Sequence, residues 1–298
     1  MDGWKARPIR AAAEQPEDTD PLMTHALSTH LFVNHRLTVA LLSKIEQLQI
    51  PLVEIFCARQ HLDYRNKAQV AELGHWFRDS ELKLNSLHSP MYNDEIWGRS
   101  GPHAVVTITE KIKSKRLEMV DEIKRALEIS EVIPFRYLIQ HVGVSGEEFE
   151  LAKVDAACAA LEELSLFARQ RGVQILLENI PNDLSTAERL MQFEELTHLN
   201  LNFCFDTGHA NMGAGVEATY SRMKERIRST HVHDNNGKDD SHLAPLGGDG
   251  GTVDWKTTMN LLRSREDQYP LLLELKDHND QANPLETVLP IFARLEEQ

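Results

Sequence analysis

The chain has 298 residues, of which 41% are hydrophobic and 26% charged, a balance typical of a globular protein with a large core. Its formal net charge of −14 argues against a nucleic-acid partner, because an acidic surface repels phosphates. No run of 18 apolar residues and no signal-like leader is present, which argues against a membrane protein and favours the cytoplasm. Three cysteines without CxxC spacing predict buried, reduced thiols.

The first residues carry the polar, acidic stretch "AAAEQPEDTDP", which has nothing to bury. We therefore expect residues 1–25 to form a flexible tail and residues 26–298 to form one domain. Met1 and Met23 both remain candidates for the native start.

Eight short apolar runs follow, and each is typical of a strand that is buried on both faces. The runs are 30–35, 52–57, 82–89, 137–144, 173–180, 201–207, 229–234 and 271–277. Helical periodicity lies between them, most clearly over 105–130 and over 149–172, where Gly172 is the expected C-cap. This alternation predicts an α/β protein with a (β/α)8 TIM barrel rather than an open doubly wound sheet.

Carboxylates and imidazoles occupy the ends of almost all these runs, where active sites of parallel barrels gather. They are Glu54, His88, His141, Glu178, Asp206, His209, His231, His233 and Glu274. Buried charges are costly unless they are paired or bound to metal, so this recurrence predicts a divalent metal site. Taken singly, each has a structural alternative: Asp206 in "DTGHA" could cap a helix, and a lone histidine is often a core residue.

The loop after the second run, "RQHLDYR", contains His61 and is predicted, together with Glu54, to contact substrate. A solvated loop is the alternative. Trp97 and Trp255 are candidates for apolar walls of the pocket, with packing the alternative for Trp255.

Six motifs, in this order and spacing, resemble the xylose isomerase-like TIM barrel superfamily, which includes sugar isomerases, sugar epimerases and endonuclease IV. They are "LHSP", "QHVG", "LLENIP", "FDTGHANM", "HVHDNNGKDDSHLAPLGGDGGTVDW" and "LLLELKD". The resemblance covers nearly the whole chain after residue 25.

The resemblance implies one shared metal held by Glu178, Asp206, His231 and Glu274. His231 is preferred to His233 because "HxxD" begins there, and His233 then contacts substrate. The metal is Mn²⁺, Mg²⁺, Co²⁺ or Zn²⁺, and more than one ion is allowed. For the isomerase branch, the expected reaction on a sugar or sugar phosphate is a proton transfer through a metal-stabilised enediolate, with Glu178 and Glu274 exchanging the proton.

Endonuclease IV is the alternative, because matching residues exist for all nine ligands of its three-zinc site. These are His88, His141, Glu178, Asp206, His209, His231, Asp240, His242 and Glu274. The negative charge and the few cations near the expected site disfavour a nuclease. A metal-dependent lyase or dehydratase of sugar-like compounds and a non-catalytic binding protein complete the alternatives. Substrate, metal number and a homodimeric state stay open.

Overall fold

Eight parallel strands form the inner wall of a closed barrel in this computed structural model, which describes residues 23–277 and 283–298. The strands are β1 (His25–Ser28), β2 (Leu52–Phe56), β3 (Lys83–His88), β4 (Tyr137–His141), β5 (Gln174–Glu178), β6 (Asn202–Asp206), β7 (Ile227–His231) and β8 (Leu271–Leu273). They are hydrogen-bonded in the order β7-β6-β5-β4-β3-β2-β1-β8. The Val232 amide donates to Leu272 at 2.8 Å and joins the two ends. The predicted (β/α)8 barrel is confirmed.

Helices connect the strands along the outside of this wall. They are α1 (Val39–Glu46), α2 (Lys67–Asp79), α3 (Lys113–Leu127), α4 (Leu151–Arg169), α5 (Ala187–Thr197), α6 (Thr207–Met212), α7 (Val216–Met223), α8 (Trp255–Arg263) and α9 (Val288–Glu296). Side-chain oxygens of Thr38, Asn66, Thr186 and Asp254 accept the first free amides of α1, α2, α5 and α8. None of the described helices is long and apolar enough to cross a membrane.

The first predicted strand was wrong. Residues 29–32, which overlap the predicted run 30–35, form a 3-10 turn, and the strand lies earlier, at His25–Ser28. Leu31 and Phe32 are buried in the main hydrophobic core, so the run is apolar although it is not part of the barrel wall. As a consequence, Thr29 and His30 follow directly after β1, at the carboxyl end of the barrel.

The predicted helix over 105–130 is shorter than expected, because α3 begins only at Lys113. Before it, Val105 forms an antiparallel bridge with Tyr92, and Val106 and Ile108 are buried on non-helical backbone. The predicted helix over 149–172 is α4, and Gly172 has the left-handed φ of 72° that suits a residue after a helix.

The predicted tail lies outside the described residues except for its last three. Of these, Met23 is buried, and His25 stacks on Phe292 with ring centroids 3.9 Å apart. Residues 23–25 therefore belong to the barrel. All three cysteines are free; Cys57 and Cys204 are buried as predicted, whereas Cys158 is partly exposed.

Candidate metal centre

Side chains that point into the barrel form two successive layers, an apolar one and, nearer the carboxyl end of the strands, a polar one. The polar layer is the candidate centre. Ile139, Leu176 and Cys204 point inward from β4, β5 and β6 and form a small buried apolar cluster. Side chains two residues further along a strand point the same way. The same strands therefore present His141, Glu178 and Asp206 in the next layer, at the carboxyl end of the barrel.

The first group consists of His88, His141 and Glu178, whose ligand atoms lie within 4.8 Å of one another. The Nε2 atoms of His88 and His141 are 3.2 Å apart, and His141 Nε2 lies 3.1 Å from Glu178 Oε2. Two imidazoles and a carboxylate oxygen therefore face one point.

The second group consists of Glu178, Asp206, His231 and Glu274, all 2% exposed or less. His231 Nδ1 lies 3.1 Å from Glu178 Oε1, 3.2 Å from Glu274 Oε2 and 3.8 Å from Asp206 Oδ2. These are the four residues that the resemblance implies as metal ligands. Glu178 belongs to both groups, because its Oε1 faces the second group and its Oε2 faces the first.

The third group consists of His209, His233, Asp240 and His242. Asp240 Oδ2 lies 3.2 Å from His209 Nε2, and Asp240 Oδ1 lies 3.3 Å from His242 Nε2. His233 is fully buried, stacks on His242 at 3.9 Å, and has Nε2 3.0 Å from Asp206 Oδ2. The stretch "HVHDNNGKDDSH" therefore contributes His231 to the second group, and His233, Asp240 and His242 to the third group.

The charges of the first two groups fit a cation. In the described part of the chain, every ion pair made by Glu178, Asp206 or Glu274 has a histidine as its partner. Buried carboxylates without a lysine or arginine partner are costly unless another positive charge compensates them. Imidazole nitrogens and carboxylate oxygens together are the donors that divalent transition metals accept, so these residues fit a divalent ion.

The pKa values follow from burial and from these close pairs. Burial raises the pKa of Glu274 to about 8. Burial lowers the pKa of His88 to about 4 and also opposes charge on His242, but Asp240 raises the pKa of His242 to about 9. A divalent ion would have to displace the protons that Glu274 and His242 hold, so its affinity should fall as the pH falls.

Local backbone features fix the loops around the centre. Asp206 caps α6, since its Oδ1 accepts the His209 amide at 2.6 Å, and the predicted cap and ligand roles therefore share one residue. Residue 208, two positions after Asp206, must be glycine, because a Cβ there would lie 2.1 Å from the ring of His233. The backbone at the start of α6 can therefore pack directly against the His233 ring of the third group.

Asp234 anchors the loop between β7 and α8. Its Oδ1 accepts the amides of Asn235, Thr252 and Val253, and its Oδ2 accepts the Trp255 indole N–H at 2.6 Å. Trp255 is therefore a packing residue. A Cβ on Gly251 would lie 2.4 Å from the Asp234 carboxyl carbon, so this position must be glycine.

His61 and Glu54, the two predicted substrate contacts, are both fully buried. Both nitrogens of His61 have partners within the protein: Nδ1 is 2.6 Å from His35 O, and Nε2 is 2.9 Å from Thr29 Oγ1. Glu54 is fully buried beside His231. Neither residue joins the three groups, because each side chain is enclosed by its neighbours.

On the aromatic side of the centre, the sequence reasoning named Trp97 as a candidate wall but missed Phe56 and His30. Phe56 stacks on His88 with ring centroids 4.4 Å apart, and Trp97 packs edge-on against Phe56. The ring of His30 lies 4.7 Å from that of His242. His30 follows β1 directly, so the correct end of that strand is the signal that would have found it.

The family assignment rests on most of the chain. A family model described as the xylose isomerase-like TIM barrel matches residues 42–294, and the chain therefore belongs to that family. Uncharacterized protein MJ1311 of Methanocaldococcus jannaschii is 29% identical over 236 residues, which cover 74% of each chain. Uncharacterized protein MJ1614 of the same organism is 26% identical over 136 residues, which are 45% of this chain and 53% of the relative. The chain thus spans about half the length of that second relative.

Solved structures with the same fold include an epimerase, an epimerase-like protein and a zinc-bound protein. A D-tagatose 3-epimerase-like protein has a TM-score of 0.70 and 23% identity, covering 92% of this chain and 98% of its own. The 3-keto-D-glucoside 4-epimerase YcjR of E. coli has a TM-score of 0.72 and 14% identity, covering 93% and 100%. The IOLI protein with a bound zinc atom has a TM-score of 0.67 and 17% identity, covering 92% and 94%. At these identities the likeness shows the fold alone.

Proposed function

We propose that the protein is a divalent-metal-dependent isomerase or epimerase that acts on a sugar or a sugar phosphate. The observation that carries this proposal is the second group, in which Glu178 and Glu274 reach one point from β5 and β8. The epimerases among the proteins of the same fold support a carbohydrate substrate.

The two glutamates are the proposed proton-transfer residues. Glu178 and Glu274 both lie within 3.2 Å of His231 Nδ1, and both are almost fully buried. One carboxylate takes the proton from the carbon next to a carbonyl, the C–H electron pair moves towards the carbonyl oxygen, and a carboxyl group returns a proton. A bound divalent ion supplies electrostatic stabilisation of the negative charge that develops on the substrate. Asp206 and His231 would hold that ion beside the two carboxylates.

A multinuclear zinc phosphodiesterase of the endonuclease IV type is the second candidate. The observation that favours it is the presence of three ligand groups, the first two of which share Glu178. Adjacent metal ions can stabilise both the attacking and the leaving oxygen of a phosphodiester. The net charge of −14 disfavours an extended nucleic-acid partner. A metal-dependent lyase or dehydratase of sugar-like compounds would use the same two glutamates.

Carbon-bound proton exchange distinguishes these functions. The wild type, loaded with Mn²⁺, Co²⁺ or Zn²⁺, is incubated in deuterated water with a panel of ketoses, ketose phosphates and, separately, phosphodiesters and abasic DNA. We expect deuterium at one carbon of a sugar product and a loss of about 10²- to 10⁴-fold in turnover for Glu178→Gln and for Glu274→Gln. Asp239→Asn, an exposed carboxylate of the same loop as Asp240, is the matched control. Phosphodiester cleavage without sugar exchange would overturn the proposal.

A further inference from the structure

Glu54 is the buried carboxylate that the proposed function leaves unused. It lies on β2 and is fully buried, with its two oxygens 3.2 and 3.3 Å from His231 Nε2. The Ser28 hydroxyl donates to Oε1 at 3.2 Å from β1, and the Ser86 hydroxyl donates to Oε2 at 2.8 Å from β3. Three strands therefore fix a carboxylate against the nitrogen of His231 that faces away from the second group.

We propose that Glu54 is a positioning residue that holds His231 as a ligand through Nδ1. Glu54 accepts the Nε2–H of His231, so the lone pair of Nδ1 points towards Glu178 and Glu274. The partner of one imidazole nitrogen decides which nitrogen binds a metal, and a carboxylate partner increases the basicity of the ligand. This inference rests on the metal dependence of the proposed function.

Three of the other five histidines in the ligand groups have Nδ1 within 3.0 Å of a backbone carbonyl oxygen. His88 Nδ1 lies 2.9 Å from Ser89 O, His209 Nδ1 lies 3.0 Å from Asn179 O, and His242 Nδ1 lies 3.0 Å from Glu274 O. The nearest partner of Nδ1 in each of these three rings is a neutral backbone carbonyl, although His209 Nδ1 also lies 3.2 Å from Glu178 Oε1 and His242 Nδ1 lies 3.8 Å from Glu274 Oε2. The partner of His231 Nε2 is the Glu54 carboxylate. We therefore expect His231 to be a stronger nitrogen donor than His88, whose Nδ1 partner is neutral. The second group also contains three carboxylates, so it should bind its cation most tightly.

Other roles for Glu54 do not account for its contacts. It is 0% exposed, so it offers no surface to a substrate, and within the described residues its ion-pair partner is His231. It is not one of the residues whose atoms converge in the three ligand groups. A buried charge lowers stability unless a partner compensates it, so a packing role alone would be served better by an apolar residue.

The test measures metal affinity directly. Metal-free wild type, Glu54→Gln and Glu54→Leu are titrated with Zn²⁺ against a chromophoric chelator, and with Co²⁺ by visible absorption. We expect the tightest equivalent to bind about 10- to 100-fold more weakly in the variants, with Leu more affected than Gln, and the remaining equivalents to be unchanged. Ser86→Ala, which leaves the Glu54 carboxylate beside His231, is the matched control and should change affinity less than either variant.

A second readout reports the hydrogen bond itself. In the Zn²⁺-loaded wild type, ¹⁵N-histidine NMR should show a slowly exchanging Nε2–H on His231, and this signal should exchange rapidly in Glu54→Leu. The Gln variant keeps the size of the side chain, so it serves if Leu does not fold. Unchanged affinity of the tightest equivalent in Glu54→Gln and Glu54→Leu would overturn the inference and leave the proposed function intact. A wild type that binds no divalent cation would overturn both.

Discussion

Two loops of this barrel have similar polar composition but different positions relative to the candidate centre. The loop after β2 contains "RQHLDYR", and the loop after β7 contains "HVHDNNGKDDSH". Both contain histidine and aspartate, and both were predicted to carry binding residues. Only the second brings its side chains to the ligand groups.

The difference lies in what each loop packs against. The loop after β2 lies beside α3, where the Tyr64 hydroxyl donates to Glu122 at 2.6 Å and Arg65 pairs with the same carboxylate. The loop after β7 is held at its base by Asp234, so Asp240 and His242 extend over the end of the barrel. Composition alone therefore does not distinguish a structural loop from a ligand-bearing one.

The largest effect should come from removing the anchor of the β7 loop. Asp234→Ala leaves three backbone amides and the Trp255 indole N–H without their acceptor, so we expect unfolding free energy to fall by about 3–4 kcal/mol. Urea unfolding of the metal-free protein measures this loss. The exposed Asp239→Ala should change stability by less than about 0.5 kcal/mol. Equal stability of the two variants would show that the loop does not depend on this anchor.

The β2 loop should show its structural role through pH. Burial lowers the pKa of His61 to about 4, so the folded protein keeps this ring neutral, whereas the unfolded chain protonates it near 6.5. The contribution of His61 is fully present above pH 6.5 and is lost as the pH falls towards 4, by about 3 kcal/mol in total. Urea unfolding at pH 7.5 and 4.5 should show a smaller pH-dependent loss in His61→Gln than in wild type. Identical losses would contradict the assignment.

Removing one ligand from the β7 loop should affect a single group. Asp240→Asn takes the carboxylate from the third group and leaves Glu178, Asp206, His231 and Glu274 in place. We expect one metal equivalent to weaken by at least about 10-fold, which is about 1.4 kcal/mol, in a Zn²⁺ titration. A uniform weakening of all equivalents would show that the groups are not separable.

The smallest effect should come from the contact between the β2 loop and α3. Tyr64→Phe removes one hydroxyl from Glu122, which keeps Arg65, so we expect a loss of about 1 kcal/mol in urea unfolding. Metal content should equal that of wild type. A change in metal content would place this loop in the centre after all.

The barrel could be predicted because burial on both faces makes each strand a short apolar run. The exception was β1, where Ala26 and Leu27 form the wall but the longer apolar run "LFV" follows them in a turn. Apolar periodicity in so short a run does not distinguish a strand from a buried turn. The same limit applies to residues 105–112, where some buried residues precede α3 without being helical.

The candidate ligands that lie at the ends of strands could be predicted from the sequence, whereas those on loops could not. Glu178, Asp206 and Glu274 stand at strand ends and meet as expected. Asp240 and His242 lie on a long loop, and only the resemblance, not their spacing, indicated that they return to the barrel. The choice between His231 and His233 was posed as exclusive, yet the two side chains face the second and third groups respectively. His231 contacts Glu54 and His233 contacts Asp206, and these carboxylates lie on strands that are distant in the sequence.

The two-sided contact of Glu178 has a thermodynamic consequence. A cation in the first group and a cation in the second would draw on opposite oxygens of one carboxylate, so neither could be filled without changing the affinity of the other. Such coupling is reciprocal: the factor by which the first ion alters the second equals the factor by which the second alters the first. Metal binding at this end of the barrel would therefore be cooperative. Whether the cooperativity is positive or negative would depend on how the single Glu178 side chain responds to the first ion.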